Sequence, residues 1–355
     1  MPRTERFGSP ILLSTLFGGA SPVRVTCVRE TPFMNRSVRV AAVQSPSLGN
    51  AAQATDRAVE LIAEAGSKGA DLVAFSETWL PGYPFFAFGG YLETLGDRAA
   101  YLEQSIVVPG PESERLCAAA RQAQADVVIG VAERDGDSGG SVYATLLFIG
   151  ADGELLGRHR KLKPTGPERT IWSDGDARGL RVHQRPYGRL SGLNCWEHNM
   201  MLPGYVLASE GTEIHVAAWP GGPPEMTRST LLSQAFASQA SCYVIAVGAC
   251  QPEIPELGPG ASMIVDPNGQ ILEGPIEGEQ ILIADLHPKA VHRAKTSADN
   301  GGHYSRRDIF NVTVDRSPRR SFSEHDGNSA VVGEQADWAE VSPAHAIASE
   351  LAVED

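Results

Sequence analysis

Two rhythms of apolar residues alternate along this chain from Ser37 onward. Short continuous apolar runs predict strands at Val38–Gln44, Asp71–Phe75, Val127–Ala132, Val142–Ile149, Leu155–His159, Gly188–Asn194, Ile214–Trp219, Tyr243–Val247, Met263–Asp266, Ile271–Glu273 and Ile281–Leu286. Between them, helical spacing begins after Asn50, where Ala54, Ala58, Leu61, Ile62 and Ala65 share a face. Asn50 with Gln53 offers a capping-box start, and Gly66 and Gly69 offer a stop. Further helices are expected near Ser113–Gln124, Leu202–Ser209 and Thr227–Ala240. Ala151-Asp152-Gly153 and Pro267-Asn268-Gly269 read as hairpin turns. Strands alternating with helices, plus hairpins, imply a mixed sheet system with helices outside. No internal repeat appears, and no linker divides residues 37–312.

Three of the apolar runs end on reactive side chains. Gly188–Asn194 delivers Cys195, followed at once by Trp196-Glu197-His198, and Asp71–Phe75 delivers Ser76 and Glu77. Leu155–His159 runs into the basic stretch Arg158-His159-Arg160-Lys161-Leu162-Lys163-Pro164, with Glu168 shortly after. A strand's carboxyl end places the next side chain at the rim of the sheet, where α/β proteins hold ligands. Taken singly, each has a plainer reading: a buried cysteine as a small hydrophobe, a solvated loop glutamate, an exposed basic face, a helix-start acid. Together they supply acyl transfer from a carbon–nitrogen bond. A thiol with a pKa of about 8.5 needs a base or cation to become thiolate near neutrality. Glu77 can accept its proton, and Lys161 with the backbone N–H after Cys195 can steady charge developing on nitrogen or oxygen.

Composition narrows the class. The 355 residues are 42% hydrophobic, enough for one large or two modest cores, and no apolar run reaches the roughly 18 residues of a membrane span. A formal charge of −13 argues against a nucleic-acid surface. The five cysteines are scattered without a CxxC pair, which disfavours a zinc site or disulfide framework and suggests a reducing, cytoplasmic setting. Residues 1–33 carry Arg3, Arg6 and the apolar patch Ile11–Phe17; a disordered extension or a start-codon artefact is the better reading than a secretion signal. Beyond Arg320 there is no Lys or Arg, while eight residues are acidic. That segment is poor in large apolar side chains and is expected to be disordered in an isolated subunit.

The motifs resemble those of the nitrilase superfamily of carbon-nitrogen hydrolases, whose members use a Glu-Lys-Cys triad. Phe75–Pro84 resembles the segment around the family's Glu, Arg160–Thr165 its lysine motif, and Cys195-Trp196-Glu197-His198 the cysteine motif of true nitrilases. Glu168 falls where the superfamily keeps a second active-site Glu, and Gly302-His303-Tyr304 matches a segment near the end of the family core. Asn199-Met200-Met201-Leu202-Pro203 departs from the usual sequence after that motif, which bears on pocket shape, and Ser76 replaces a common Pro.

The resemblance implies a four-layer α-β-β-α sandwich. Its expected parts are an N-terminal extension over 1–36, the carbon-nitrogen hydrolase domain over 37–312, and an acidic tail over 313–355. It implies hydrolysis of an organic nitrile to a carboxylic acid and ammonia, with Glu77, Lys161, Cys195 and Glu168 as catalytic residues and no cofactor or metal. Tyr83, Trp196, His198 and Trp219 are expected to bind substrate. The implied partners are a small-molecule nitrile and further copies of this chain, as a homodimer that builds larger oligomers or spirals; neither nucleic acid nor membrane is expected. A cyanide-degrading or amide-hydrolysing relative with the same triad is the alternative, and a non-enzymatic filament-forming homologue the more distant one.

Overall fold

Strands that are apolar on both faces must be covered on both, and side-chain alternation says by what. In β1 (Val38–Gln44), Val38, Val40 and Ala42 join one apolar cluster, while Ala41 and Val43 join another. The computed structural model describes residues 33–221, 227–251 and 258–317. The other strands are β2 (Leu72–Ala74), β3 (Asp126–Arg134), β4 (Val142–Ile149), β5 (Leu155–Arg160), β6 (His183–Arg185), β7 (Gly188–Asn194), β8 (Ile214–Trp219), β9 (Tyr243–Gly248), β10 (Ser262–Val265), β11 (Ile271–Ile276) and β12 (Gln280–Leu286). The helices are α1 (Ala51–Ser67), α2 (Leu95–Gln104), α3 (Pro111–Ala123), α4 (Met201–Ser209), α5 (Thr227–Ala240) and α6 (Pro288–Ser297).

These strands form two six-stranded sheets, ordered β12-β1-β2-β3-β4-β5 and β11-β10-β9-β8-β7-β6. Each has a parallel centre, β1-β2-β3 and β7-β8-β9, and antiparallel flanks. Between the sheets Ala74, Val128 and Phe148 pack with Ile214, Val216 and Ile245. Outside the first sheet Val73, Val127 and Ile129 meet Ala58, Ile62 and Leu116 of α1 and α3. Outside the second, Leu193, Ala217 and Val244 meet Leu207 of α4 and Phe236 of α5. Three apolar layers between four layers of elements make the α-β-β-α sandwich that the motifs implied.

Asn50 Oδ1 accepts the Gln53 N–H at 3.1 Å, so α1 starts where the sequence suggests. Gly66 is not a stop: it lies inside α1, where an added Cβ would sit 2.8 Å from Cβ of Ala123, so it lets α3 close on α1. The periodicity reading missed α2, α6 and β6. Only Tyr101 of α2, and only Val291 and Ala294 of α6, are buried, so neither writes an apolar stripe. β6 is three residues long and half exposed.

Among the described residues the packed body begins at Met34, which is fully buried with its N–H on the Glu213 carboxylate at 3.0 Å, ahead of the expected start at residue 37. At the other end Arg316 pairs with Glu210 and donates to the Leu180 carbonyl at 2.8 Å. The expected extension through residue 32 and the acidic tail from residue 318 lie outside the described residues. Among the described residues no helix is long and apolar enough to cross a membrane.

Candidate active site

Cys195 is the first residue of a 3-10 turn that follows β7 directly. Its φ is +45°, the left-handed region that a residue with a Cβ adopts at a cost of about 1–3 kcal/mol. The strained turn holds the thiol at the carboxyl end of a central parallel strand, nearly buried at 5% exposure. Behind it, His198 Nδ1–H donates to the Cys195 carbonyl at 2.7 Å. His198 Nε2 then faces His215 Nε2 at 3.0 Å, and His215 Nδ1 faces Ser191 Oγ at 2.8 Å. Burial lowers His198 to about 4 and His215 well below the ordinary histidine value, as a relay of neutral rings requires.

Glu77 comes from the turn after β2, whose path depends on Gly130 in β3. A Cβ at Gly130 would lie 2.2 Å from the Ser76 carbonyl oxygen and 2.4 Å from the Thr78 nitrogen, so only glycine lets this turn cross the sheet here. The Glu77 N–H donates to the Trp219 carbonyl at 3.2 Å, joining the two sheets' strand ends. Lys161 follows β5; its N–H donates to the Ala144 carbonyl at 2.7 Å, and its carbonyl accepts from Gly175 N–H at 2.8 Å.

The side chains converge in a buried charge cluster. Lys161 Nζ donates to Glu77 Oε1 and to Glu168 Oε2, both at 2.7 Å, with its side chain fully buried. Glu168 Oε2 also accepts the Thr165 N–H at 2.6 Å, and its Oε1 takes the Tyr83 hydroxyl at 2.6 Å. One ligand atom each of Glu77, Glu168 and Cys195 lies within 4.8 Å of the others. A metal could be held by that donor set only in competition with Lys161, which already binds both carboxylates. Glu77 Oε2 is buried and, among the described residues, has no hydrogen-bond partner, so it is free to face the thiol.

Burial pushes Glu77 up, the Glu168 charge adds to it, and Lys161 opposes; the carboxyl reaches about 8. Burial pulls Lys161 down, but Glu77, Cys195 and Glu168 outweigh it and hold the ammonium charged above its ordinary value. Burial and Glu77 push the Cys195 thiol well up, against the pull of Lys161 and of the Trp196 N–H at its sulfur. The resting site is therefore a thiol beside a base poised near neutrality, with a fixed cation between the acids.

The carbon-nitrogen hydrolase family profile matches residues 39–296. A prokaryotic "Nitrilase 2" of unknown organism is 51% identical over 287 residues, covering 77% of this chain and 91% of its own. An aliphatic nitrilase of Rhodococcus rhodochrous is 37% identical over 305 residues, covering 78% and 82%. Nit3 of Saccharomyces cerevisiae, a member of branch 10 of the nitrilase superfamily, shares the fold with a TM-score of 0.65 at 21% identity, covering 78% of this chain and 98% of that one. This chain belongs to the carbon-nitrogen hydrolase family.

Within that family fold, Glu77, Lys161, Glu168 and Cys195 meet in one cluster although they come from four separate segments. The four expected substrate-binding residues scatter more. Tyr83 reaches the cluster through Glu168 and packs edge-on to Trp172 at 5.4 Å. Trp219 is nearly buried and stacks on His198 at 5.2 Å. His198 spends both ring nitrogens on the protein. Trp196 is 38% exposed with the Arg228 guanidinium 4.8 Å from its ring. The sequence reading passed over His159, Trp172, His215 and the carboxylate of Glu197. The Trp172 ring centre lies 5.4 Å from Lys161 Nζ; His159 and Glu197 stand inside stretches that the sequence singles out, whereas no motif flags Trp172 or His215.

Proposed function

We propose that this protein hydrolyses an organic nitrile to its carboxylic acid and ammonia, consuming two waters. The observation that carries the reading is the buried Lys161 ammonium bound to both Glu77 and Glu168, with Cys195 beside them. The named nitrilases among the relatives support the substrate class. Glu77 takes the thiol proton as Cys195 Sγ attacks the nitrile carbon, and the proton passes to nitrogen, giving a thioimidate. Lys161 and the Trp196 N–H face the negative charge on nitrogen. One water, deprotonated by Glu77, adds to the carbon; ammonia leaves and a thioester remains. A second water, again activated by Glu77, releases the acid and restores the thiol. Glu168 positions Lys161, and Tyr83, Trp196, His198 and Trp219 shape the substrate's surroundings.

The domain at work is residues 37–312, and it functions as a homodimer that builds larger homo-oligomers. Supporting this, Met201, Leu202 and Leu231 on α4 and α5, close to Cys195 in the fold, are 88%, 62% and 64% exposed, an apolar face of the kind that marks association. A nucleophilic free thiol suits the reducing cytoplasm.

The test is ammonia release by the purified full chain from phenylacetonitrile, benzonitrile, butyronitrile, potassium cyanide and the matching amides. Carboxylate and ammonia from at least one organic nitrile are expected. Turnover of amides alone, or of cyanide alone, would replace this reading with the corresponding relative's activity.

A further inference from the structure

The Glu197 carboxylate is fully buried two residues beyond the thiol and does more than close a turn. Its Oε2 accepts the Asn194 N–H at 2.8 Å, a bond that local capping of the Cys195–Asn199 turn would explain. Its Oε1 accepts the Leu162 N–H at 2.8 Å, from a residue 35 positions away that lies just past the end of β5 in the other sheet. His159 Nε2, on β5 itself, lies 3.1 Å from both oxygens. Asn194 immediately precedes Cys195, and Leu162 immediately follows Lys161. One carboxylate thus spans the backbones that present the nucleophile and the cation.

We propose that Glu197 is a positioning residue for catalysis, a clamp that sets the separation of Cys195 and Lys161 by tying β7's end to β5's end. The chemistry of the clamp admits only a carboxylate of this length. Three donors converge on it, and an ionised carboxylate accepts at both oxygens without offering a hydrogen. Burial alone would push its carboxyl up, but His159 and the two N–H groups outweigh burial and hold it below its ordinary value, in the accepting form. In Glu197→Gln the amide nitrogen would meet one of the two N–H groups donor to donor, so one strand end is released. Glu197→Asp keeps the charge but is one methylene too short to reach both. A displacement of about 1 Å in a catalytic group costs about 100-fold in rate.

The inference rests on Cys195 as the nucleophile, and its test is built to stand apart from the nitrile reading. Iodoacetamide labelling is followed peptide by peptide in the full chain: Cys195 reports the site, half-buried Cys117 gives the reference rate, and buried Cys242 reports opening of the fold. Glu197→Gln should slow Cys195 labelling at least about tenfold while Cys117 and Cys242 keep their parent rates. On phenylacetonitrile, kcat should fall about 100-fold with KM within about threefold. Cys195 labelling at or above the parent rate in Glu197→Gln overturns the clamp. If that variant opens Cys242, Glu197→Asp becomes the deciding variant. Slowed Cys195 with protected Cys242 then upholds the clamp, whereas parent-like Cys195 labelling, or an open Cys242, assigns Glu197 to folding alone. Absence of nitrile turnover in the parent chain would remove the nitrile reading and leave the labelling result standing.

Discussion

Lys161 and Lys163 stand two residues apart in one basic run, yet only the first has its side chain fully buried between two carboxylates; Lys163 pairs at the surface with Asp174 at 2.7 Å. Cys195→Ala, Glu77→Gln and Lys161→Met should each lower kcat at least about 1000-fold, because groups that act as a unit fail together. Lys163→Met should stay within about threefold; a collapse in that variant with activity kept in Lys161→Met would reverse the assignment. Lys161→Met should also cost about 3–5 kcal/mol of stability in urea melts, since it strands two buried carboxylates. The pH response follows from Glu77. As a base it works ionised, and its carboxyl sits near 8, so kcat/KM should climb as pH rises through that region. Glu168 is a negative neighbour that raises Glu77, so Glu168→Gln should move the climb to lower pH. A profile unmoved, or moved upward, would mean that another group sets the limb.

At the scale of elements, the site depends on strand ends being brought closer than ordinary side chains permit. Gly130→Ala would drive a Cβ into the backbone of Ser76 and Thr78, atoms that cannot retreat without carrying Glu77 along. Overpacking of this kind costs about 1–3 kcal/mol, and the shift of Glu77 should cost about 100-fold in kcat/KM. Gly96 in α2 has nothing within 4 Å of where its Cβ would be. Gly96→Ala should therefore leave activity alone and stabilise by about 0.5 kcal/mol. Urea titrations of both variants, read beside their kinetics, would separate close approach from chain entropy; a fully active Gly130→Ala would show that the turn has room.

For the whole molecule, the exposed apolar face on α4 and α5 makes association testable. Met201→Glu with Leu202→Glu places charge where a second copy is proposed to pack. Light scattering coupled to size exclusion should show the parent as a dimer or larger and the double variant at reduced mass. Equal masses would send the interface elsewhere. Both side chains point away from the described core, so the variant should keep its fold by circular dichroism.

Much of this architecture is written locally. Strands such as Val142–Ile149, Gly188–Asn194 and Ile214–Trp219 stand where their apolar runs place them, because continuous β-favouring runs bounded by turns have one way to be buried. The four segments carrying Glu77, Lys161, Glu168 and Cys195 could likewise be read from residue order, since each reactive side chain directly follows a strand or opens the next turn. α2 and α6 escaped that reading because each buries one face too narrow to leave a period. Three-dimensional packing alone decided which lysine is buried, that Gly66 and Gly130 answer to neighbours rather than to turns, and that Glu197 bridges two sheets. Those facts depend on contacts between residues 35 to 84 positions apart or on opposite sides of a sheet. Local propensity and periodicity report which way a segment faces; only the folded chain fixes what it meets there.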